Sequence, residues 1–297
     1  MKKSYFLLAA SALMIAACSS EESGNQSVQN SEVISLSATV SSGMRASGTN
    51  LQNAQFVSDA SIHVEAYKHG GDGTAYANGN YTTTDAEGTM TGSLTYPATG
   101  ENIDICAYYP ATVSSGTSSF TVKSDQTTVE NYQLSDLMYA DKLEDKAKGS
   151  THNLTFNHAL SKIIVNIVAG TGVESANITS LVSAVKIKNT KPTAGFAITN
   201  GAPGTITESG SVTDIEIKGT GAINEGIIVP QTVAAGEFIT VTYKGNDYKY
   251  ELTADKEFEP GHKYTYTLTL NASGISLKSL KINDWTPGTG DNKAFTL

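Results

Sequence analysis

Arginine is almost missing from this chain: Arg45 is the single one, and every other basic residue is a lysine. Cysteine is nearly as scarce, with Cys18 and Cys106 alone in 297 residues, too few for a disulfide framework. Positive charge is in deficit. The formal net charge is −9, which argues against nucleic acid as a partner. No apolar run reaches the ~20 residues that a membrane-spanning helix needs. The short motifs that carry chemistry are absent too: no Gly-rich phosphate loop, no His-x-x-x-His, no Cys-x-x-Cys, no nucleophile elbow. No catalytic residue, no metal ligand and no cofactor is therefore expected, and no enzymatic activity.

What is present begins with an export signal. Met1-Lys2-Lys3 is a short basic segment and Tyr5 to Ala17 an apolar one, so residues 1–17 read as a signal peptide. Ile15-Ala16-Ala17-Cys18 resembles the bacterial lipobox. That resemblance implies cleavage before Cys18, diacylglycerol on its thiol and an acyl chain on its amine. Two or three chains bury many methylenes at ~0.8 kcal/mol each, enough for stable anchoring. A plain secretory signal with a chance cysteine is the alternative. With Cys18 lipidated, Cys106 has no partner for a disulfide, and the fold must rest on its core. In the strand-like run Ile103 to Tyr109, Cys106 reads as a small apolar core residue. Residues 18–32 are polar without periodicity and read as a disordered tether.

The stretch from Val33 to Asn50 divides in two. Ile34, Leu36, Ala38 and Val40 alternate with Val33, Ser35, Ser37 and Thr39, the period of a half-buried strand over 33–40. Residues 41–50 are a small-residue loop, and Arg45 followed by Ala46 lies within it. A lone arginine in a flexible loop behind a core-type strand is an address for an arginine-specific protease. An ordinary exposed loop residue is the plainer reading. A cut there would free the first strand.

Beyond Asn50 the pattern is all-β. Short alternating runs are separated by Gly, Asn and Asp turns every ten residues or so, the spacing of a sandwich or barrel. Ile163 to Val168 is apolar on both faces and predicts a covered central strand. Phe238–Tyr243 and Tyr248–Leu252 predict a hairpin about Lys244-Gly245-Asn246-Asp247. One short helix is expected around Ser135–Lys142. The charged stretch Asp141–Ser150 predicts a boundary between domains at 33–150 and 151–297. His152 and His158 share a strand face with Leu154 and Phe156, which favours packed histidines over metal ligands. His63 and Glu65 are expected on a solvated face. The many tyrosines allow either core packing or a glycan-stacking platform.

Several segments together resemble the fimbrillin family, the pilus subunits of the outer membrane in Bacteroides-type bacteria. They are the lipobox at Cys18, Met44-Arg45-Ala46, Ala107-Tyr108-Tyr109-Pro110, Asp136-Leu137-Met138-Tyr139-Ala140, Phe156 to Ile163, Ile228-Val229-Pro230-Gln231, Pro260 to Tyr264 and Asp284-Trp285. Ser19-Ser20-Glu21-Glu22 also resembles the signal for export to the outer face of that membrane. The resemblance implies two transthyretin-like β-sandwich domains in tandem and a surface lipoprotein that becomes part of a pilus. It implies cleavage after Arg45 by an arginine-specific surface protease, loss of the strand carrying Ile34, Leu36, Ala38 and Val40, and filling of the groove by a strand of the next subunit. Partners would be other pilus subunits, of the same or different kind, and the outer membrane through the lipid. Candidate donor segments are Gly274–Ile282, with Ile275, Leu277, Leu280 and Ile282 and a phase slip near Ser279, and Lys293–Leu297, with Phe295 and Leu297. Only a dozen residues follow Trp285, which leaves open a tip or anchor subunit that donates no strand. A monomeric glycan-binding surface lipoprotein is the alternative from another class.

Overall fold

The computed structural model describes residues 32–40, 56, 58–85, 88–219, 221–285 and 293–295. The fold is all-β, as expected. Residues 31–297 form one compact unit, and its buried apolar side chains fall into two clusters.

The first cluster is enclosed by one sheet. Its strands are β1 (Leu36–Val40), β2 (Ser61–Lys68), β3 (Ala75–Thr83), β4 (Thr89–Thr91), β5 (Ile103–Tyr109), β7 (Met138–Ala140), β8 (Leu143–Lys146) and β9 (His152–His158). Their order is β2-β3-β4-β1-β9-β7-β5-β8, with a further pairing of β2 to β5. Seven of the eight strands therefore close into a ring, and β8 hangs from β5. A closed ring leaves no free edge to pair with another chain. This differs from the expected sandwich, whose two layers would keep their edges. The cause is the register of β2 on β5, from His63 opposite Tyr108 to Lys68 opposite Ile103. The ring also crosses the expected divide at residue 150. β9 lies beyond that point in sequence, yet it pairs with β1 and belongs to the first sheet.

The second cluster lies between several open sheets. One has the order β17 (Lys218–Gly219), β18 (Ile223–Ile228), β10 (Ser161–Ala169), β23 (His262–Asn271), β24 (Gly274–Asp284), β25 (Lys293–Phe295). Another is β16 (Thr213–Glu216), β11 (Val182–Thr190), β20 (Gly236–Tyr243), β21 (Asn246–Leu252). A third joins β15 (Thr207–Ser209) and β12 (Thr193–Gly195) to β6 (Ser119–Thr121). Two small pairings complete it, the hairpin of β13 (Ile198–Thr199) with β14 (Ala202–Pro203) and the pairing of β19 (Gln231–Val233) with β22 (Lys256–Phe258) across the β20–β21 hairpin. The β20–β21 hairpin turns at Lys244-Gly245, both with positive φ, as the expected turn requires. β10 is central by pairing, between β18 and β23. It is covered less than expected: Ile163, Val165 and Ile167 are buried, while Ile164, Asn166 and Val168 are half-buried.

Two departures are local. The expected helix at Ser135–Lys142 is absent. Instead α1 spans Val129–Leu134, with the Thr128 hydroxyl accepting from the Asn131 N–H, and Met138–Ala140 is the strand β7. A second helix, α2 (Ser175–Leu181), lies between β10 and β11. The cores meet at β5, which is buried on both faces. Ile103, Ile105, Ala107 and Tyr109 pack in the ring, and Cys106 and Tyr108 pack in the second cluster. At the seam His158 stacks on Trp285 with centroids 3.8 Å apart and its Nδ1 lies 3.0 Å from Asp136. Lys162, fully buried, pairs with Glu225 at 3.0 Å.

Candidate functional site: the first strand and its groove

The alternation read in residues 33–40 is built into the ring. Ile34, Leu36, Ala38 and Val40 are 1%, 2%, 2% and 5% exposed, and they pack with Phe56, Tyr81, Leu154 and Phe156 in the first cluster. The opposite residues carry the polar contacts: Ser37 Oγ donates to Asn153 Oδ1 at 3.2 Å, and Asn153 Nδ2 donates to Thr39 at 3.1 Å.

Two strands far away in sequence grip β1. On one side β9 runs parallel, from Leu36 opposite His152 to Val40 opposite Phe156. On the other β4 runs antiparallel, with Leu36 opposite Met90 and Ser37 opposite Thr89. Further backbone bonds extend the hold: Ile34 N–H donates to Leu94 O at 2.7 Å, Ala38 N–H to Gly88 O at 2.8 Å, and His152 N–H to Ser35 O at 3.0 Å. The Tyr81 hydroxyl donates to Ile34 O at 2.9 Å. Gly88 has φ +86°, and a Cβ there would sit 1.9 Å from the Ala38 carbonyl oxygen. Only a glycine lets the backbone come this close.

No connection ties β1 directly to either neighbour as a hairpin. It is a stave inserted between β4 and β9, and removing it would open the ring along its length. The uncovered groove would be lined by the side chains that now pack on Ile34, Leu36 and Val40. At ~1.5–3 kcal/mol for each such side chain, β1 contributes on the order of 5–9 kcal/mol of burial, comparable with the stability of a whole domain.

The family description "Fimbrillin-like" matches residues 45–285 of this sequence, more than half of it. The chain belongs to the fimbrillin-like family. The candidate fimbrium subunit Fim1C of Bacteroides uniformis is 30% identical over 308 aligned positions, covering 98% of this chain and 97% of that protein. The crystal structure of a candidate cell adhesion protein from Bacteroides uniformis is similar, with TM-score 0.64 and 26% identity over 86% of this chain and 98% of that one. A candidate cell adhesion protein from Bacteroides ovatus shares the fold at TM-score 0.63 and 18% identity, over 87% and 99%.

The family match opens at Arg45 and leaves β1 outside it. Arg45 and Ala46, Cys18 and Leu297 lie outside the described residues, and Phe295 is described for its backbone alone, in β25. The other candidate donor segment is β24. It pairs with β23 from His262 opposite Asp284 to Asn271 opposite Gly274, and the register shifts between Thr267 and Leu268. Ser279 faces Thr267 and Leu277 faces Leu268, so the expected phase slip is a bulge at Lys278. Ile275, Leu277, Leu280 and Ile282 are half-buried against the second cluster. β24 and the groove of β1 are in different sheets.

Among the described residues no three His, Cys, Asp or Glu side chains are placed to hold a metal ion. The parallel pairing of β1 with β9 was not foreseen. Alternation tells which face of a strand is buried, but says nothing of which partner supplies the groove.

Proposed function

We infer that this protein is a structural, non-catalytic subunit of a cell-surface pilus that contributes to adhesion. It would be exported as an outer-membrane lipoprotein on Cys18 and assembled by strand exchange after cleavage behind Arg45. The observation that carries this reading is β1: an N-terminal strand with four buried side chains, inserted between two sequence-distant strands. Family membership and the fimbrium relative support it. So does the isolation of Arg45 as the sole arginine, immediately downstream of that strand. A chain cut there would be a poor monomer and a strong acceptor for an added strand. The two hydrophobic clusters support a tandem arrangement of two β-domains, the first closed as a ring, with the divide after His158 rather than at residue 150.

The test is limited digestion of the purified chain with an arginine-specific protease, followed by sizing. High-mass ladders after a single cut, absent from Arg45→Ala, are expected. A chain that is cut and stays a stable monomer would sink the strand-exchange reading.

A further inference from the structure

A cleft of about 380 Å³ lies where the outer face of the ring meets the β13–β14 hairpin. The β2–β5 pairing builds its wall. Tyr67 faces Asp104 and Glu65 faces Cys106 across the two strands, so their side chains share the face turned away from the ring interior. Tyr108 continues that face on β5. This face is not solvated as the sequence suggested. Glu65 is 4% exposed, because the Ser115 backbone and hydroxyl both donate to it, at 2.9 and 3.0 Å, and the Tyr67 hydroxyl donates at 2.5 Å. The other wall is the hairpin turn Asn200-Gly201, where a Cβ on Gly201 (φ +82°) would sit 2.8 Å from the Cys106 sulfur. Gly70 and Gly73 at the rim have nothing within 4 Å of a would-be Cβ, so the mouth is open.

Three features point to a ligand. Tyr108 lines the cleft and is 1% exposed, and its hydroxyl has only the Cys106 thiol, a weak partner, within reach. A thiol leaves much of this hydroxyl's hydrogen-bonding capacity unused, and burial raises the phenol's pKa, so it stays a donor. The cations are already paired: Lys142 sits 3.0 Å from Asp104 and 3.0 Å from Glu144, Lys68 sits 3.1 Å from Glu101, and His69 lies 2.8 Å from Asp104. An anionic ligand would find no free cation among these groups, whereas hydroxyls can use their remaining donors and acceptors. Tyrosine rings beside such groups suit a molecule with an apolar C–H face and a polar rim. The volume lies at the small end of the ~300–1,000 Å³ of ligand clefts.

We propose that the cleft between the β2–β5 face and the β13–β14 turn binds a neutral saccharide, a mono- or disaccharide unit, through Tyr67, Asp104, Tyr108, Lys142 and Asn200. This goes beyond assembly, because the cleft exists with β1 in place. Binding can therefore be measured on the uncut chain, and its failure leaves strand exchange untouched.

The experiment titrates the isotope-labelled, uncut chain with glucose, galactose, mannose, fucose, N-acetylglucosamine and lactose, and with N-acetylneuraminic acid as the charged comparison, and follows amide shifts by NMR. At least one sugar is expected to bind with a Kd of about 1 mM or tighter, with shifts confined to the cleft. Lys142→Met and Tyr108→Phe should each weaken it about fivefold or more. Asn200→Gly, which keeps the turn's positive φ, serves if either of those unfolds. Tyr250→Phe, which lines a separate cleft by β24, should leave binding unchanged. No shift with any sugar, equal binding by all the cleft variants, or binding of N-acetylneuraminic acid in preference to every neutral sugar would each overturn the proposal.

Discussion

The two ends of the described chain each contribute an apolar-alternating strand, and they are held in opposite ways. β1 is short and its ladder is modest, but Ile34, Leu36, Ala38 and Val40 are sealed in the first cluster. β24 is long, with a ladder to β23 that runs from Gly274 to Asp284, yet Ile275, Leu277, Leu280 and Ile282 are only half-buried. Side chains hold β1 and backbone holds β24. Apolar burial is sequence-tolerant but needs a fitted groove, while a backbone ladder can re-form on any exposed edge. Emptying the first arrangement would uncover a fitted apolar groove. Releasing the second would expose less apolar surface.

Deleting residues 33–40 tests the comparison at its largest. The loss of three large buried side chains predicts a destabilisation of ~5–9 kcal/mol. The shortened chain should show no cooperative unfolding transition of the ring in urea, and a synthetic peptide of residues 32–40 added in excess should restore it. A deletion variant that unfolds at the wild-type midpoint would show that β1 is not structural. At the level of single side chains, Leu36→Ala should cost ~2–5 kcal/mol as a fully buried truncation. Leu277→Ala on β24 should cost about 1 kcal/mol, since half of its surface term is missing. Equal costs from denaturant midpoints would erase the contrast between the two strands.

The backbone of the groove gives the next effect. Gly88→Ala places a Cβ against the Ala38 carbonyl at a positive φ, so β1 or the turn must move. The expected cost is about 1–3 kcal/mol, with the largest rise in amide exchange at Ala38, whose N–H donates to Gly88 O. Protection unchanged at Ala38 would mean the turn yields without disturbing the strand.

Much of the fold was legible because it is local. The β20–β21 hairpin announced its turn, Tyr264, Tyr266, Leu268 and Leu270 are buried on one face of β23 as their spacing implied, and the face of β1 was correct. The errors share one cause. Alternation within a segment carries no information about a distant partner, so the closure of the ring and the placement of β9 beside β1 could not be read. Glu65 was read as solvated from its polar neighbours, but residues 113–117 fold over it. The helix was misplaced although Thr128 and the acidic first-turn residue Glu130 held a usable start signal, and Met138–Ala140 pairs with β5 and β9 as a strand instead. Of the candidate site, the strand was visible. Its two walls and the saccharide cleft were not, since both arise from pairings across tens of residues.

Glu65 turns the same contrast into a pH dependence. Burial alone would raise its carboxyl, but hydrogen bonds from His63, Tyr67 and Ser115 outweigh that and bring it from the ordinary 4.5 down to about 2. A depressed folded-state pKa contributes stability that is complete above 4.5 and is lost as pH falls toward 2. Between pH 5 and pH 3 the loss from this one group is about 2 kcal/mol, and it falls on the outer face of the ring, where β2 meets residues 113–117. Glu65→Gln should therefore flatten that part of the acid limb in urea-midpoint measurements, while truncations on β24 leave its slope unchanged. An acid limb of the same slope in Glu65→Gln would mean that other carboxylates govern acid unfolding, and that the covered face of β2 adds no pH sensitivity to the ring.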